Sequence, residues 1–166
     1  MDKALIEAYR ATDYLVCLNE GEVTLAHSTI ALGIALRPTS LLPTTLAHPS
    51  AAWASIRIDQ PLPEPLQVLV GTQSWGFITA WNPGSETRSP ADNLAAQREL
   101  LAALRAWPDA AIYPAIGTGA GGWHEPSLFV IGPDILTLDT LCNRHAQNAY
   151  VHGHGHTAAR LRLLRS

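Results

Sequence analysis

The chain has 166 residues, 47% of them apolar and 15% charged, with 11 Lys and Arg against 14 Asp and Glu for a formal charge of -3. That is enough for one hydrophobic core, so residues 1–166 read as one domain. A slightly acidic chain lacks the basic surface of a nucleic-acid binder, and no run approaches the ~18 apolar residues of a membrane span, so neither nucleic acid nor membrane is an expected partner.

Met1-Asp2-Lys3-Ala4 lacks the charged start and apolar stretch of a secretory leader. Cys17 and Cys142 lie far apart, which argues for reduced thiols and a cytoplasmic location. Ala4, Leu5, Ala8 and Tyr9 recur at helical spacing and predict a helix over residues 2–11. Residues 14–18 are β-prone and run into a turn at Asn19-Glu20-Gly21. Further strands are expected at 23–26 and 29–36, with weaker ones at 54–58 and 68–70. Residues 37–50, with Pro38, Pro43 and Pro49, and the run Pro61-Leu62-Pro63-Glu64-Pro65 read as loops, since Pro removes a donor and restricts its predecessor.

The second half is more regular. Residues 77–81 have the length of a buried strand, ended by Asn82-Pro83-Gly84. Ser89-Pro90-Ala91-Asp92 has the form of a helix start, and the helix runs to about Trp107 before Pro108. Strands are expected at 111–116 and 127–131, separated by a glycine-rich loop over 117–122. Gly132-Pro133-Asp134 opens a second helix reaching about Ala146. Strands at 149–151 and 159–164 follow. In the last, Arg160 and Arg162 alternate with Leu161 and Leu163, as in an edge strand with one solvated face.

From residue 77 the order is strand, helix, strand, strand, helix, strand. The predicted fold is therefore α+β, with a ferredoxin-like split βαβ core over residues 77–152 and both helices on one face. The N-terminal strands would extend the sheet or cover its other face. In this topology Asn82, Asn93, the 117–122 loop, Glu125, His145 and Gln147 meet at one end of the sheet.

Asn93 and Gln97 fall inside the apolar stripe of Leu94, Leu100, Leu101, Leu104 and Trp107. These inward amides either satisfy loop backbone or read a ligand. Trp123, Glu125 and Ser127 share one strand face by period two. A carboxylate beside Trp123 and Pro126 is a candidate acid or base, or else a structural acceptor. The glycine loop leads into a strand, so it reads as a hairpin needing positive φ and not as a phosphate loop. The first long helix still offers free N–H groups to an anion. His152, His154 and His156 alternate with glycine and on an extended chain would share a face, as metal ligands do. His145 lies on the Leu138, Leu141, Cys142 stripe and reads as a core histidine.

The segment Thr79-Ala80-Trp81-Asn82-Pro83, then Asn93, Trp123-x-Glu125-Pro126-Ser127 and Gln147-Asn148-Ala149, resembles the bacterial domain of unknown function 3293. Tyr9-Arg10-Ala11-Thr12-Asp13-Tyr14 is similar to that family's opening, so the resemblance runs from Leu5 to about Val151. It implies a small cytoplasmic bacterial protein with no assigned reaction, marks Asn82, Asn93, Glu125 and Gln147, and supplies no cofactor. A long Pro/Thr-rich stretch before Trp53 and the His-Gly run depart from the pattern.

Three functions compete. The first is a pocket for a small polar ligand, nucleotide- or sugar-like. Asn82, Asn93, Gln97, Ser127 and Gln147 would bind it, Trp81 or Trp123 would form a flat wall, and Glu125 would be the acid or base. The second is a non-enzymatic module that pairs as a homodimer or with a partner through Trp53, Trp75 and Tyr150. The third is metal binding through the histidine run. The cofactor stays unknown, and beyond the histidine run no metal site is expected.

Overall fold

The computed structural model describes residues 2–18 and 52–165. The expected strands at 23–26 and 29–36, the turn at 19–21 and the loop at 37–50 lie outside the described residues. Helix α1 (Lys3–Ala11) is started by Asp2, whose carboxylate accepts from Ala4 N. Strands β1 (Asp13–Cys17) and β2 (Trp53–Ile56) follow. Helix α2 (Glu64–Val70) leads to β3 (Ser74–Ile78), and α3 (Pro90–Arg105) to β4 (Ala111–Thr118). A hairpin gives β5 (His124–Ile131), then come α4 (Ile135–Arg144), β6 (Ala149–His154) and β7 (Arg160–Leu163).

Among the described residues seven strands form one antiparallel sheet in the order β2-β1-β4-β5-β3-β6-β7. Within it, β4-β5-β3-β6 has the strand order of a split βαβ core. The N-terminal pair extends the sheet beside β4, and β7 forms the edge beyond β6. The α+β expectation therefore holds, and the N-terminal strands extend the sheet.

Period-two alternation sorts the apolar side chains into two cores. Leu128 and Val130 of β5 join Leu100, Leu101 and Leu104 of α3 and Leu138, Leu141 and Cys142 of α4, so both long helices lie on one face. Phe129 and Ile131 join Trp75, Phe77, Tyr14 and Val16 on the other, covered by Leu62, Leu66 and Val70. Trp75 and Tyr150 lie inside these cores, which removes two of the three anchors expected of an interface.

Three boundaries differ from expectation. Residues 68–70 are helix, not strand. Leu66 and Val70, four apart, bury one helical face in line with Leu62 just before the helix, while Pro65 sits in the first turn, where its missing donor costs nothing. The strand expected at 77–81 is β3, three residues earlier, and Thr79 to Trp81 leave the sheet. Trp107 lies beyond the end of α3 and is 47% exposed, so it is not part of the buried stripe.

Candidate functional site

Asn82 organises the end of the sheet from a left-handed conformation (φ 46), which Asn tolerates better than most residues. A backbone donor fixes the local amide network. Asn82 N donates to Asn93 Oδ1 at 2.8 Å, so Asn93 Nδ2 is the donor to Asn82 Oδ1 at 2.9 Å. Arg88 N donates to the same Oδ1 at 3.1 Å. With its oxygen claimed twice, the Asn82 amide turns Nδ2 toward Glu125 and donates to Oε1 at 3.3 Å.

The neighbouring amides hold backbone. Gln97 Oε1 accepts from Ala80 N at 2.9 Å, and Gln147 Nε2 donates to Trp81 O at 3.0 Å. Thr79 Oγ1 donates to Pro126 O at 2.7 Å and accepts from Trp81 N at 3.0 Å. The segment leaving β3 is thus tied to α3, to β5 and to the turn after α4.

A cavity of about 430 Å³ opens beside this network. Asn82, Glu125 and Gln147 line its inner side, and Trp123 forms a wall at the hairpin. Trp123 lies against Gly117 and Gly119, where an added Cβ would meet the indole at 3.6 and 3.1 Å. The first is ordinary contact, whereas at Gly119 the ring would have to shift by a few tenths of an ångström. The hairpin turns at Gly121 (φ 68) and Gly122 (φ 77), the positive φ expected of that loop. Leu5, Ala8, Tyr9 and Thr12, from α1 and the residue after it, form the roof. No residue of α1 is itself buried.

Glu125 is half-buried at the floor of this cavity. Burial pushes its carboxyl up to about 8, against a smaller opposing effect of the Asn82 bond. No cation bridges to it among the described residues. With Oε1 accepting from Asn82, Oε2 carries the proton in the neutral form and is free to give it up. The same group is a proton donor below pH 8 and an acceptor above it.

The expected site residues separate into groups. Asn82, Trp123, Glu125 and Gln147 line the cavity together. Asn93 and Gln97 are buried beneath it and serve loop backbone, the structural alternative for inward amides. Trp81 is buried and contributes its carbonyl to Gln147 instead of a wall. Ser127 donates to Glu125 O at 3.1 Å and lines a smaller recess behind Glu125.

Residues expected elsewhere in the site do not line the cavity. His145 caps the end of α4, buried and lowered by desolvation, with Nε2 unpartnered among the described residues. The start of α3 is closed by its own cap, Ser89 Oγ accepting from Asp92 N, and no residue of α3 lines the cavity. The anion expected at that helix end therefore has no opening there.

The histidine run does not stay extended. β6 ends at His154 and the chain turns at Gly155 (φ 53), so His156 leaves the face shared by His152 and His154. Among the described residues no group of three or more His, Cys, Asp or Glu is placed to hold a metal.

Tyr9 is the site residue that sequence reasoning missed. Its hydroxyl bonds Ser85, which also accepts from Asn148 Nδ2 at 2.9 Å. Burial and the nearby Glu125 raise the phenol. The available signal was the pairing of an aromatic with Leu5 and Ala8 on one face of a short helix, which says that the face is covered but not by what.

No curated protein and no solved structure matches the chain. No helix among the described residues is long and apolar enough to cross a membrane. Residues 78–150 match the model of the family described as protein of unknown function (DUF3293), a segment that contains Asn82, Asn93, Glu125 and Gln147 but not Tyr9 to Tyr14. Over that segment, less than half of its length, the chain is similar to the DUF3293 family.

Proposed function

We propose that the cavity under α1 binds a small polar ligand and that Glu125 is the acid–base group of the site. One observation carries this reading. A carboxyl group sits on the floor of an open cavity with, among the described residues, one hydrogen bond and no cation, although burial makes its charge costly. A structural carboxylate is normally paired or held by several donors, because an unpaired buried charge destabilises the fold. Leaving Glu125 unpaired is a cost that a ligand can recover.

Sugar-like ligands suit the lining better than nucleotides. Apart from Glu125 its polar side chains are amides and hydroxyls, and among the described residues no Lys, Arg or His lines it, so a phosphate would find no counter-charge. Cys17 and Cys142 are both buried, and we read them as thiols of a reducing, cytoplasmic setting.

The test is a thermal-shift screen of sugars, nucleosides, nucleotides and small amino compounds against wild type and Glu125→Gln. A compound that raises the wild-type Tm and leaves the variant unmoved supports the site. The reading fails if no compound raises Tm and Glu125→Gln itself lowers Tm by about 3 °C or more, since a loss near 1 kcal/mol then marks a structural carboxyl.

A further inference from the structure

Several polar atoms on the inner side of the cavity are acceptors, set among the hydroxyls of Tyr9, Ser85 and Thr87. Asn82 Oδ1 accepts twice within the protein and its Nδ2 is given to Glu125. Gln147 spends its NH2 on Trp81 O, which leaves its carbonyl oxygen unspent by that bond. Thr12 Oγ1 gives its proton to Ala8 O at 2.8 Å. Among the described residues no donor reaches Glu125 Oε2. The walls beside these acceptors are aromatic, with Tyr9 on the roof and Trp123, 42% exposed, at the hairpin.

A site with a carboxylate, spare acceptors and two aromatic rings, but no basic side chain in its lining, complements a ligand that donates and is positively charged. An ammonium or guanidinium group would give Glu125 the opposite charge it lacks. It would also take up acceptors that no protein donor fills and gain from the ring faces.

We infer that the cavity recognises a small organic cation, its ammonium or guanidinium group paired with Glu125 and its body against Tyr9 and Trp123. This rests on the reading of the cavity as a ligand site and names the class of ligand it takes. Binding is coupled to a proton. At pH 7 the carboxyl is mostly neutral, so a cation that pairs with the carboxylate displaces a proton to solvent. The titratable groups facing Glu125 are Tyr9 from α1 and Tyr14 from β1, both raised by burial and both neutral through this range. His124, its neighbour in the chain, points to the other face of β5 and bonds Gly122 O.

The experiment is calorimetric titration of the full chain with agmatine, putrescine, tyramine and choline as probes. Neutral alcohols of matching carbon skeleton and AMP serve as controls. At least one amine should bind, its neutral counterpart at least tenfold more weakly and AMP not at all. The apparent affinity should rise about eightfold from pH 7 to pH 8.5, as the ionised fraction of a group near 8 grows. Titrations at pH 7 in buffers of different ionisation enthalpy should register close to one proton released, and with choline, whose charge does not titrate, none at pH 9.5.

Glu125→Gln, which keeps an acceptor for Asn82, should lose amine binding at least tenfold at pH 8.5. Trp123→Leu should weaken it severalfold while the circular dichroism spectrum stays that of wild type. Equal binding of the neutral alcohols, preference for AMP, affinity that is flat in pH, or silence of all four amines each overturns the cation assignment. The ligand-site reading survives any of these if a sugar or nucleoside binds in a Glu125-dependent way, and falls with the thermal-shift result described above.

Discussion

Asn82 Nδ2 donates to Glu125 Oε1 across 3.3 Å, joining the loop after β3 to the start of β5. The direction of that bond is set by the far side of the network, where a backbone N–H fixes Asn93 and Asn93 fixes Asn82. The family-matched segment thus spends three groups on orienting one donor toward one carboxyl. The carboxyl receives little else from the protein.

That imbalance predicts the pH dependence of stability. The folded-state value of Glu125 is raised from the ordinary 4.5 to about 8. Below 4.5 both states hold the proton and Glu125 contributes no pH dependence. Between 4.5 and 8 the unfolded chain releases a proton that the folded chain keeps, so stability falls as pH rises. Above 8 the loss is complete, on the order of a few kcal/mol. Urea unfolding from pH 5 to pH 9 should therefore show wild type losing stability relative to Glu125→Gln as pH rises. Parallel curves would mean that the carboxyl titrates as it does in water.

The amides beneath the cavity should behave oppositely, as structural groups. Gln97 Oε1 is the acceptor for the fully buried Ala80 N–H. Gln97→Met keeps the volume and removes the acceptor, so it should cost about 1–3 kcal/mol in urea unfolding. Arg98→Ala, one residue on and exposed, should stay within about 0.5 kcal/mol. Similar losses for the two would remove Gln97 from the network.

Two glycines on neighbouring strands test the two cores. A Cβ at Gly153 would lie 2.5 Å from Cζ2 of Trp75, a rigid ring with no exposed surface. A Cβ at Gly76 would meet Leu138 Cδ1 at 2.8 Å, the end of a side chain that can rotate. Gly153→Ala should cost about 3 kcal/mol and Gly76→Ala about 1, the upper and lower ends expected for overpacking. Chemical denaturation of both variants gives the order, and the reverse order would contradict the packing of Trp75 beneath β6.

How much of this was legible in the sequence follows from the range of each signal. Ser89-Pro90 and Asp134 announced their helices because capping is decided within four residues. The strand order of the core followed from chain order, since short connections allow few alternatives. The meeting of Asn82 and Glu125 followed from that order in turn. Helix α2 was hidden because its prolines resemble a loop until Leu62, Leu66 and Val70 are seen to share one buried side. Trp81 and Trp123 were indistinguishable as walls, because exposure depends on what packs over each residue. Tyr9 was missed for the same reason, since a nine-residue helix does not encode the cavity that it covers.

The roof itself gives the last prediction. Helix α1 buries no residue, so its position depends on few contacts. Tyr14 Oη donates to Tyr9 O at 2.7 Å, Thr12 Oγ1 donates to Ala8 O, and Arg10 pairs with Asp59 at 3.1 Å on the surface. The surface pair contributes little. The tyrosine bond holds the last turn of α1 to β1, in the sheet, and is worth about 1 kcal/mol. Amide protons of α1 should therefore exchange through local opening, faster than those of α3, which buries five residues. Tyr14→Phe removes that hydroxyl but keeps the ring in the core against Phe77. It should speed exchange in α1 about fivefold and leave α3 unchanged, the ratio that about 1 kcal/mol sets when opening is local. Equal acceleration in both helices would mean that α1 opens only with the whole sheet. A ligand held between Tyr9 and Glu125 should slow exchange in α1 first.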